Sequence, residues 1–333
     1  MTVKQSPNRV FKLNNGTAIP AIGFGTWKSA PKDAYDSVKC ALQAGYRHID
    51  TAFNYGNEEE VGRAIKDSGV PREEIFLTTK LWSTYHSRVE ENLDLSLRRL
   101  GVDYVDLYLM HWYASEVVLT QALLESQLLL ICEQARCYES QWHPPIFPLL
   151  PDGTRDLQLD RHFTSTWSDM EALLQTGKAR SIGVANFDVH NLEVLRNECT
   201  VTPAVNQVEL NPYFQQQKLK DYCDARGIHV TAYSPLGSAG SSLKSEPSIL
   251  ELAKVHSCDP CAIILSWGAQ KGHSVIPKVN PPVAPVEHSI TPSRIKNNFL
   301  AISIRLTEEE MAQIGGLEKG LRLCNPPWGI KVF

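Results

Sequence analysis

Apolar residues along the chain fall in short clusters, separated by longer stretches in which apolar and polar positions alternate at helical spacing. The short clusters are Ile22 to Thr26, His48 to Ala52, Ile75 to Leu81, Val105 to His111, Ser181 to Asn186, Ala204 to Leu210, His229 to Ser234 and Ser274 to Lys278. Each reads as a strand. The mixed stretches read as helices: Lys32 to Ala44, Glu58 to Ser68, Ser87 to Leu100, Trp167 to Thr176, Val189 to Asn197, Gln216 to Arg226, Pro247 to His256 and Pro292 to Phe299. Gly45, Gly69, Gly101, Gly177 and Gly227 each follow one of them, where a left-handed C-terminal cap calls for glycine. Asp188 and Ser87 stand where N-caps are expected. Eight strands, each followed by a helix, predict an α/β fold, a (β/α)8 TIM barrel. Ahead of it, Asn15-Gly16 separates two short apolar runs, which predicts a β-hairpin lying as a lid over the bottom of the barrel.

Two stretches interrupt the period. Residues 113–164 form a long connection after the fourth strand, and its first half, Ala114 to Gln141, is apolar around nearly every helical angle. Val118, Leu119, Leu123, Leu129 and Leu130 share no stripe, so the amphipathic signal is weak. The second break, Val279 to His288, holds Pro281, Pro282 and Pro285 and reads as an extended loop. Lengthening a roughly twenty-residue loop to about fifty costs on the order of 1 kcal/mol, so a barrel survives such inserts. The organisation expected is one barrel domain over residues 10–329, with atypical inserts at 114–141 and 279–288.

Composition narrows the function. Lys plus Arg is 33 against 37 Asp plus Glu, a balance that leaves no basic footprint for nucleic acid or anionic lipid. No apolar stretch reaches membrane length, and the first ten residues carry none of signal length. The eight cysteines are scattered. A reduced, cytoplasmic protein is the expectation. Cys258 and Cys261 form a CxxC, a spacing used in redox and zinc sites. No second pair lies at zinc spacing and Pro260 sits between them near a helix start, which favours a structural reading; no metal is expected.

Catalytic groups of a (β/α)8 barrel come from the C-terminal ends of different strands. Asp50, Lys80 and His111 end strands two, three and four, and Tyr55 follows Asp50 in the next loop. Singly, each has a structural explanation, as a cap or a satisfied core residue. Together they suit proton delivery to a carbonyl oxygen while hydride reaches the carbonyl carbon. A tyrosine hydroxyl, with an ordinary pKa near 10, is a poor acid unless its phenolate is stabilised. The Lys80 ammonium would do that, Asp50 would hold Lys80, and His111 would donate to the polarised oxygen.

The sequence resembles the aldo-keto reductase superfamily, most closely its fungal NADPH-dependent aldehyde reductase and glycerol dehydrogenase branch. The matching motifs run in order: Ile22-Gly-Phe-Gly-Thr-Trp27, Gly45-Tyr-Arg-His-Ile-Asp-Thr-Ala52, Asn54-Tyr-Gly-Asn-Glu58 with Val61-Gly62, Phe76-Leu-Thr-Thr-Lys-Leu-Trp82 and Val105-Asp-Leu-Tyr-Leu-Met-His-Trp112. Gly177 to Phe187, Asn206-Gln-Val-Glu-Leu210, Ala232-Tyr-Ser-Pro-Leu-Gly237 and Thr291-Pro-Ser-Arg-Ile295 complete them. The resemblance covers roughly residues 10–112 and 142–329. It implies an NADPH-dependent oxidoreductase that reduces aldehydes or ketones, or oxidises polyols and alcohols in reverse, acting on small molecules as a monomer or weak dimer. It implies Tyr55 as general acid, Lys80 and Asp50 as the pair that lowers its pKa, and His111 as the substrate-orienting residue. For NADPH/NADP it implies Asn186 and Gln207 on the nicotinamide carboxamide and Tyr233 stacked on the ring. Gly25, Thr26 and Trp27 would line the ribose, with Asp50 close by. Ser234, Leu236 and Ser238 would run along the pyrophosphate, and Lys278, Arg294 and Asn298 would face the 2′-phosphate and adenine. Trp27, Trp82 and Trp112 would wall an apolar substrate pocket, although core packing would also explain them. No Rossmann fingerprint is present, since Gly23-Phe-Gly25 lacks the third glycine.

The chain also departs from the family pattern. Tyr113 stands where relatives usually carry Pro, the stretch to Pro151-Asp-Gly153 is much longer, and Ala185 replaces a common Ser. Residues 279–288 separate Lys278 from Ser289, and Phe333 follows soon after Trp328-Gly329, which implies a short closing loop. Ala114 to Gln141 reads either as a specificity lid or as extraneous text such as translated intron sequence, and its lack of a stripe favours the second. The inserts also keep open a catalytically impaired barrel that binds cofactor or a protein partner. A metal-dependent barrel hydrolase would need His and carboxylate clusters such as HxH at strand ends, and none is seen.

Overall fold

The computed structural model describes residues 9–113, 161–238, 241–279, 291–301 and 303–324. The insert at 114–141, residues 280–288 of the second break, and Trp328-Gly329 lie outside the described residues.

Strands β1 (Val10–Lys12) and β2 (Ala18–Pro20) form the expected antiparallel hairpin. Its turn is held by Gly16 at φ +88° and by Asn15, whose Oδ1 accepts from the Thr17 amide at 3.1 Å. Ile19 of β2 is fully buried and packs with Leu13 against Phe76, Leu107 and Val205, residues that begin barrel strands. The hairpin therefore closes the N-terminal end of the barrel.

Eight parallel strands follow: β3 (Phe24–Gly25), β4 (His48–Asp50), β5 (Phe76–Leu81), β6 (Leu107–Met110), β7 (Ile182–Ala185), β8 (Val205–Glu209), β9 (His229–Tyr233) and β10 (Ser274–Ile276). Each pairs with the next in sequence order. The sheet closes where Ile22 bridges Val275 and the Gly23 amide donates to the Val275 carbonyl at 2.9 Å. The protein is the (β/α)8 barrel that the alternation predicted. Register fixes the site: Asp50 pairs with Thr78, Lys80 with Leu109, and Ala185 with Gln207, so the polar strand ends share one mouth.

Helices α1 (Pro31–Ala44), α2 (Glu58–Asp67), α3 (Val89–Leu100), α4 (Phe163–Leu173), α5 (Val189–Glu198), α6 (Gln217–Asp224), α7 (Pro247–Val255), α8 (Pro260–Gln270), α9 (Pro292–Ala301) and α10 (Glu308–Gly315) wrap the strands. Gly45, Gly69, Gly101, Gly177 and Gly227 all adopt positive φ, as their positions after helices required. Asp188 caps α5 by accepting from the Asn191 amide at 2.7 Å. Ser87 does not serve as N-cap: α3 begins one residue later, with Arg88 at that position. The pattern did not give α8 or α10 a range, although a helix start was expected near Pro260. Ala262 through Ala269 are all buried, so no polar face marks the helical period of α8. Asp259 caps it and Pro260 is its first residue, which gives the CxxC segment a structural task. Burial pushes the Cys258 thiol up to about 11 and Cys261 up to about 12, away from the reactive thiolate.

Candidate active site

The mouth of the barrel gathers side chains from five strands. Asp50 ends β4 and Lys80 stands one residue before the end of β5. Tyr55 ends a 3-10 turn, Phe53–Tyr55, that Gly56 closes in the left-handed region at φ +66°. His111 follows β6, Gln207 lies on β8, and Tyr233 ends β9.

Lys80 is fully buried and its Nζ makes three contacts: to Asp50 Oδ1 at 2.6 Å, the Thr51 carbonyl at 2.8 Å and Tyr55 Oη at 3.4 Å. An ammonium has three N–H groups, so all are engaged. Tyr55 Oη accepts from Lys80 and keeps its own O–H to donate. The second Asp50 oxygen accepts from Gln207 Nε2 at 2.7 Å. The Tyr55 ring lies edge-on to His111, with centroids 5.8 Å apart. The four residues expected to act together are thus brought together.

Burial drives the electrostatics. It lowers the Lys80 pKa, against which the Asp50 carboxylate acts to keep the ammonium charged. It drives His111 well below its usual range, with the Lys80 charge acting the same way, so the imidazole is neutral. The Tyr55 phenol is raised well above 10, first by burial and then by the Asp50 carboxylate. That corrects the expectation that Lys80 depresses Tyr55 in the free protein. The ammonium sits 2.6 Å from Asp50 and 3.4 Å from Tyr55, so its charge is largely matched before it reaches the phenol.

Beyond the tetrad, Asn186 takes a left-handed backbone at φ +64°. Its Nδ2 donates to the His111 carbonyl at 3.0 Å, and its Oδ1 accepts from Tyr233 Oη at 2.8 Å. The amide groups of Asn186 and Gln207 are therefore aimed by protein partners, and each retains a second N–H. Trp82 and Trp112 form a buried cluster with Phe53, and both rings contact His111. Trp27 is 44 % exposed and stays at the rim, outside that cluster.

Lys28, Asn186, Gln216 and Ser234, non-glycine residues with positive φ, lie in loops that follow β3, β7, β8 and β9, so backbone strain concentrates at this mouth. Ser234 bonds through Oγ to Cys324 Sγ at 3.4 Å, and Leu236 packs on the core. The Ser238 carbonyl accepts from the Ser241 amide at 3.1 Å. Lys278 is pushed down to about 8 by burial and by the neighbouring Lys28 charge. Two neighbouring lysines suit a phosphate anion, and at Gly25 a Cβ would come within 3.3 Å of the Ile276 carbonyl, so that strand packs closely on its neighbour. Arg294 is exposed on the first turn of α9, while Asn298 is buried on the same helix.

The sequence reasoning missed Lys28, Asn57, Glu209 and Cys324. Lys28 adjoins the Thr26-Trp27 motif and Asn57 lies inside the Asn54–Glu58 motif, so both stood in recognised text. Glu209 is buried at the end of β8 and accepts from the Leu323 and Cys324 amides at 2.9 and 2.8 Å, which no local pattern reveals.

A closed parallel barrel with buried Asp50, Lys80 and His111 beside half-buried Tyr55 at its C-terminal mouth is the scaffold of a carbonyl-reducing oxidoreductase. Comparison with known proteins agrees. Residues 21–319 match the model of the Aldo/keto reductase family, and the chain belongs to that family. It is 44% identical over 324 residues to glycerol 2-dehydrogenase (NADP(+)) of Saccharomyces cerevisiae, covering 96% of this chain and 95% of that one. It is 43% identical to aldehyde reductase YPR1 of the same yeast, over 98% and 97% of the two chains. Among solved structures, the aldose reductase from Schistosoma japonicum superposes with a TM-score of 0.79 at 32% identity, over 96% of both chains.

Proposed function

We propose that this aldo-keto reductase reduces aldehydes or ketones to alcohols with NADPH, with Tyr55 as the proton donor. The observation that carries the reading is the Lys80 ammonium, saturated by Asp50, the Thr51 carbonyl and Tyr55 Oη, with the neutral His111 ring edge-on to Tyr55. NADPH, when bound, supplies hydride to the carbonyl carbon. Asn186, Gln207 and Tyr233 would hold its nicotinamide, Gly25, Thr26 and Trp27 its ribose, and Ser234, Leu236 and Ser238 its pyrophosphate. Lys278, Arg294 and Asn298 would hold the 2′-phosphate and adenine, with Lys28 added to the cationic side. The names of both yeast relatives, an NADP(+) dehydrogenase of glycerol and an aldehyde reductase, support this substrate range.

His111 would direct the carbonyl oxygen toward Tyr55 by donating to it. Tyr55 would give its proton to that oxygen, and Lys80 would stabilise the phenolate left behind. Trp82 and Trp112 would offer an apolar wall, with Trp27 at the entrance. The test is a panel of aldehydes, ketones and polyols followed by NADPH absorbance, with NADH in parallel, on wild type and Tyr55→Phe. Loss of general acid catalysis costs typically 10²–10⁴-fold. Tyr55→Phe should therefore fall at least about a hundredfold in reduction while still quenching with NADPH. A variant keeping a third of the activity sinks the assignment.

A further inference from the structure

Asn57 stands two residues beyond Tyr55, at the N-cap position of α2, and is almost wholly buried. Its side chain makes no cap bond to the helix it precedes. It turns to the barrel mouth instead. Its Nδ2 donates to the carbonyls of Thr26 at 3.0 Å and Ser29 at 3.1 Å. Its Oδ1 accepts from Thr51 Oγ1 at 3.2 Å, while the single O–H of Thr26, 3.5 Å away, has its shorter contact to the Asp50 carbonyl at 3.2 Å. The amide thereby uses both of its donors and accepts from Thr51.

The partners join three separate pieces of the site. Thr26 and Ser29 bracket Trp27 and Lys28, and Lys28 is held in the left-handed region at φ +56°, a conformation that persists in a non-glycine residue only when its surroundings enforce it. Thr51 is the residue whose carbonyl receives Lys80 Nζ at 2.8 Å. Gly56, left-handed at φ +66°, links Asn57 directly to the Tyr55 turn. One buried amide thus fixes the segment bearing a cation beside Lys278, the carbonyl that seats Lys80, and the end of the turn that carries the phenol.

We propose that Asn57 is a positioning residue that holds the Trp27-Lys28 segment in register with the Lys80–Tyr55 pair, so that cofactor anchoring and proton delivery act on the same bound molecules. The inference rests on the NADPH-reductase reading above. Asn57→Asp keeps the side-chain shape but turns both donors into an acceptor aimed at two carbonyls. Thr51→Val keeps its carbonyl and removes one hydroxyl donor, and it serves if Asn57→Asp does not fold.

Folding is checked by circular dichroism and melting, NADPH affinity by tryptophan quenching, and turnover on one small and one aromatic aldehyde across pH. Folded Asn57→Asp should bind NADPH at least tenfold more weakly and lose at least tenfold in kcat on both aldehydes. The pH at which reductive kcat declines should also move, because the Thr51 carbonyl that seats Lys80 shifts. Thr51→Val should show the same changes at about threefold. A merely structural role would lower the melting temperature and leave affinity, kcat and pH profile per folded molecule unchanged, and that result in either variant overturns the proposal. Wild-type protein that reduces no carbonyl with NADPH overturns the functional reading and this inference with it; active wild type with equally active variants overturns this inference alone.

Discussion

Lys80 has three N–H groups and three acceptors within 3.4 Å, and that stoichiometry decides what Tyr55 can do. Because the phenol oxygen accepts from Lys80, its own proton is left for a substrate. Because burial and Asp50 raise the phenol well above 10, Tyr55 is protonated throughout the neutral range. The sign follows for the two directions of reaction. With Tyr55 as the proposed proton donor, reduction needs the phenol and should stay flat from about pH 6 to 9, declining only as the pH approaches the raised phenol value. Alcohol oxidation needs the phenolate and should rise with pH over that range. Initial rates in both directions from pH 6 to 10 check this, and a reductive rate that already halves between pH 7 and 8 would contradict it. The convergence of Asp50, Tyr55, Lys80 and His111 on one mouth was legible in sequence because each falls at a strand end or in the loop just after one. The direction of the Tyr55 shift was not, because it depends on distances among three groups.

At the scale of elements, the loops after the strands carry most of the distinctive chemistry. Helix α9 presents exposed Arg294 at its first turn, beyond Lys278 in sequence. A guanidinium suits a 2′-phosphate through paired, charge-assisted bonds. Arg294→Ala should weaken NADPH binding by about tenfold or more, in line with the roughly 1.5–3 kcal/mol that a hydrogen bond to a charged group contributes, and change NADH binding little. Titration of both cofactors by fluorescence decides it, and equal losses would remove Arg294 from that role. The C-terminal segment is fastened by Glu209, with both carboxylate oxygens on the Leu323 and Cys324 amides. Leu323 then lies against Gly237, and Cys324 against Ser234, in the loop after β9. Glu209→Gln can accept only one of those amides well, which costs about 1–2 kcal/mol locally. Trypsin should then cut faster after Lys319 and Arg322 in the variant, with little change in the global melting temperature. Identical digestion rates would show that other contacts hold the segment. Local sequence pattern found the glycine caps and Asp188, whereas α8 escaped it because helical periodicity needs a polar face to be seen.

Across the whole molecule, the catalytic end and the closed end behave differently. The closed end holds His48 and His229, first residues of β4 and β9, the one buried and the other half-buried, and both lowered to about 3 mainly by desolvation. His229 bonds to Ser274 Oγ at 2.9 Å, and His48 Nε2 to Thr78 Oγ1 at 3.2 Å. In the unfolded chain each would titrate near 6.5. Between these values the unfolded chain binds more protons than the folded one, so stability falls as the pH drops below 6.5, and the loss is complete only below the folded values. Each histidine contributes a slope of about 1.4 kcal/mol per pH unit in that window. Urea unfolding at pH 7.5 and 5.5 should show the drop, and a folded His48→Gln, His229→Gln double variant should show a smaller one. An unchanged slope in that variant would assign the acid sensitivity elsewhere.

The sequence by itself determined the barrel, the hairpin at its base and the identity of the polar strand ends. These follow from local periodicity, from turn chemistry at Asn15-Gly16, and from motifs whose residues lie within a few positions of one another. Tertiary structure alone decided how those residues are coupled. It set Lys80 between Asp50 and Tyr55 and turned Asn57 away from its helix toward Thr26, Ser29 and Thr51. It also brought Glu209 of β8 to amides 114 and 115 residues further along the chain. The physical reason is that hydrogen-bond valence and desolvation are properties of an enclosed space. A buried amide or carboxylate must find partners there, and which ones it finds is settled by strand register and barrel closure rather than by neighbours in sequence.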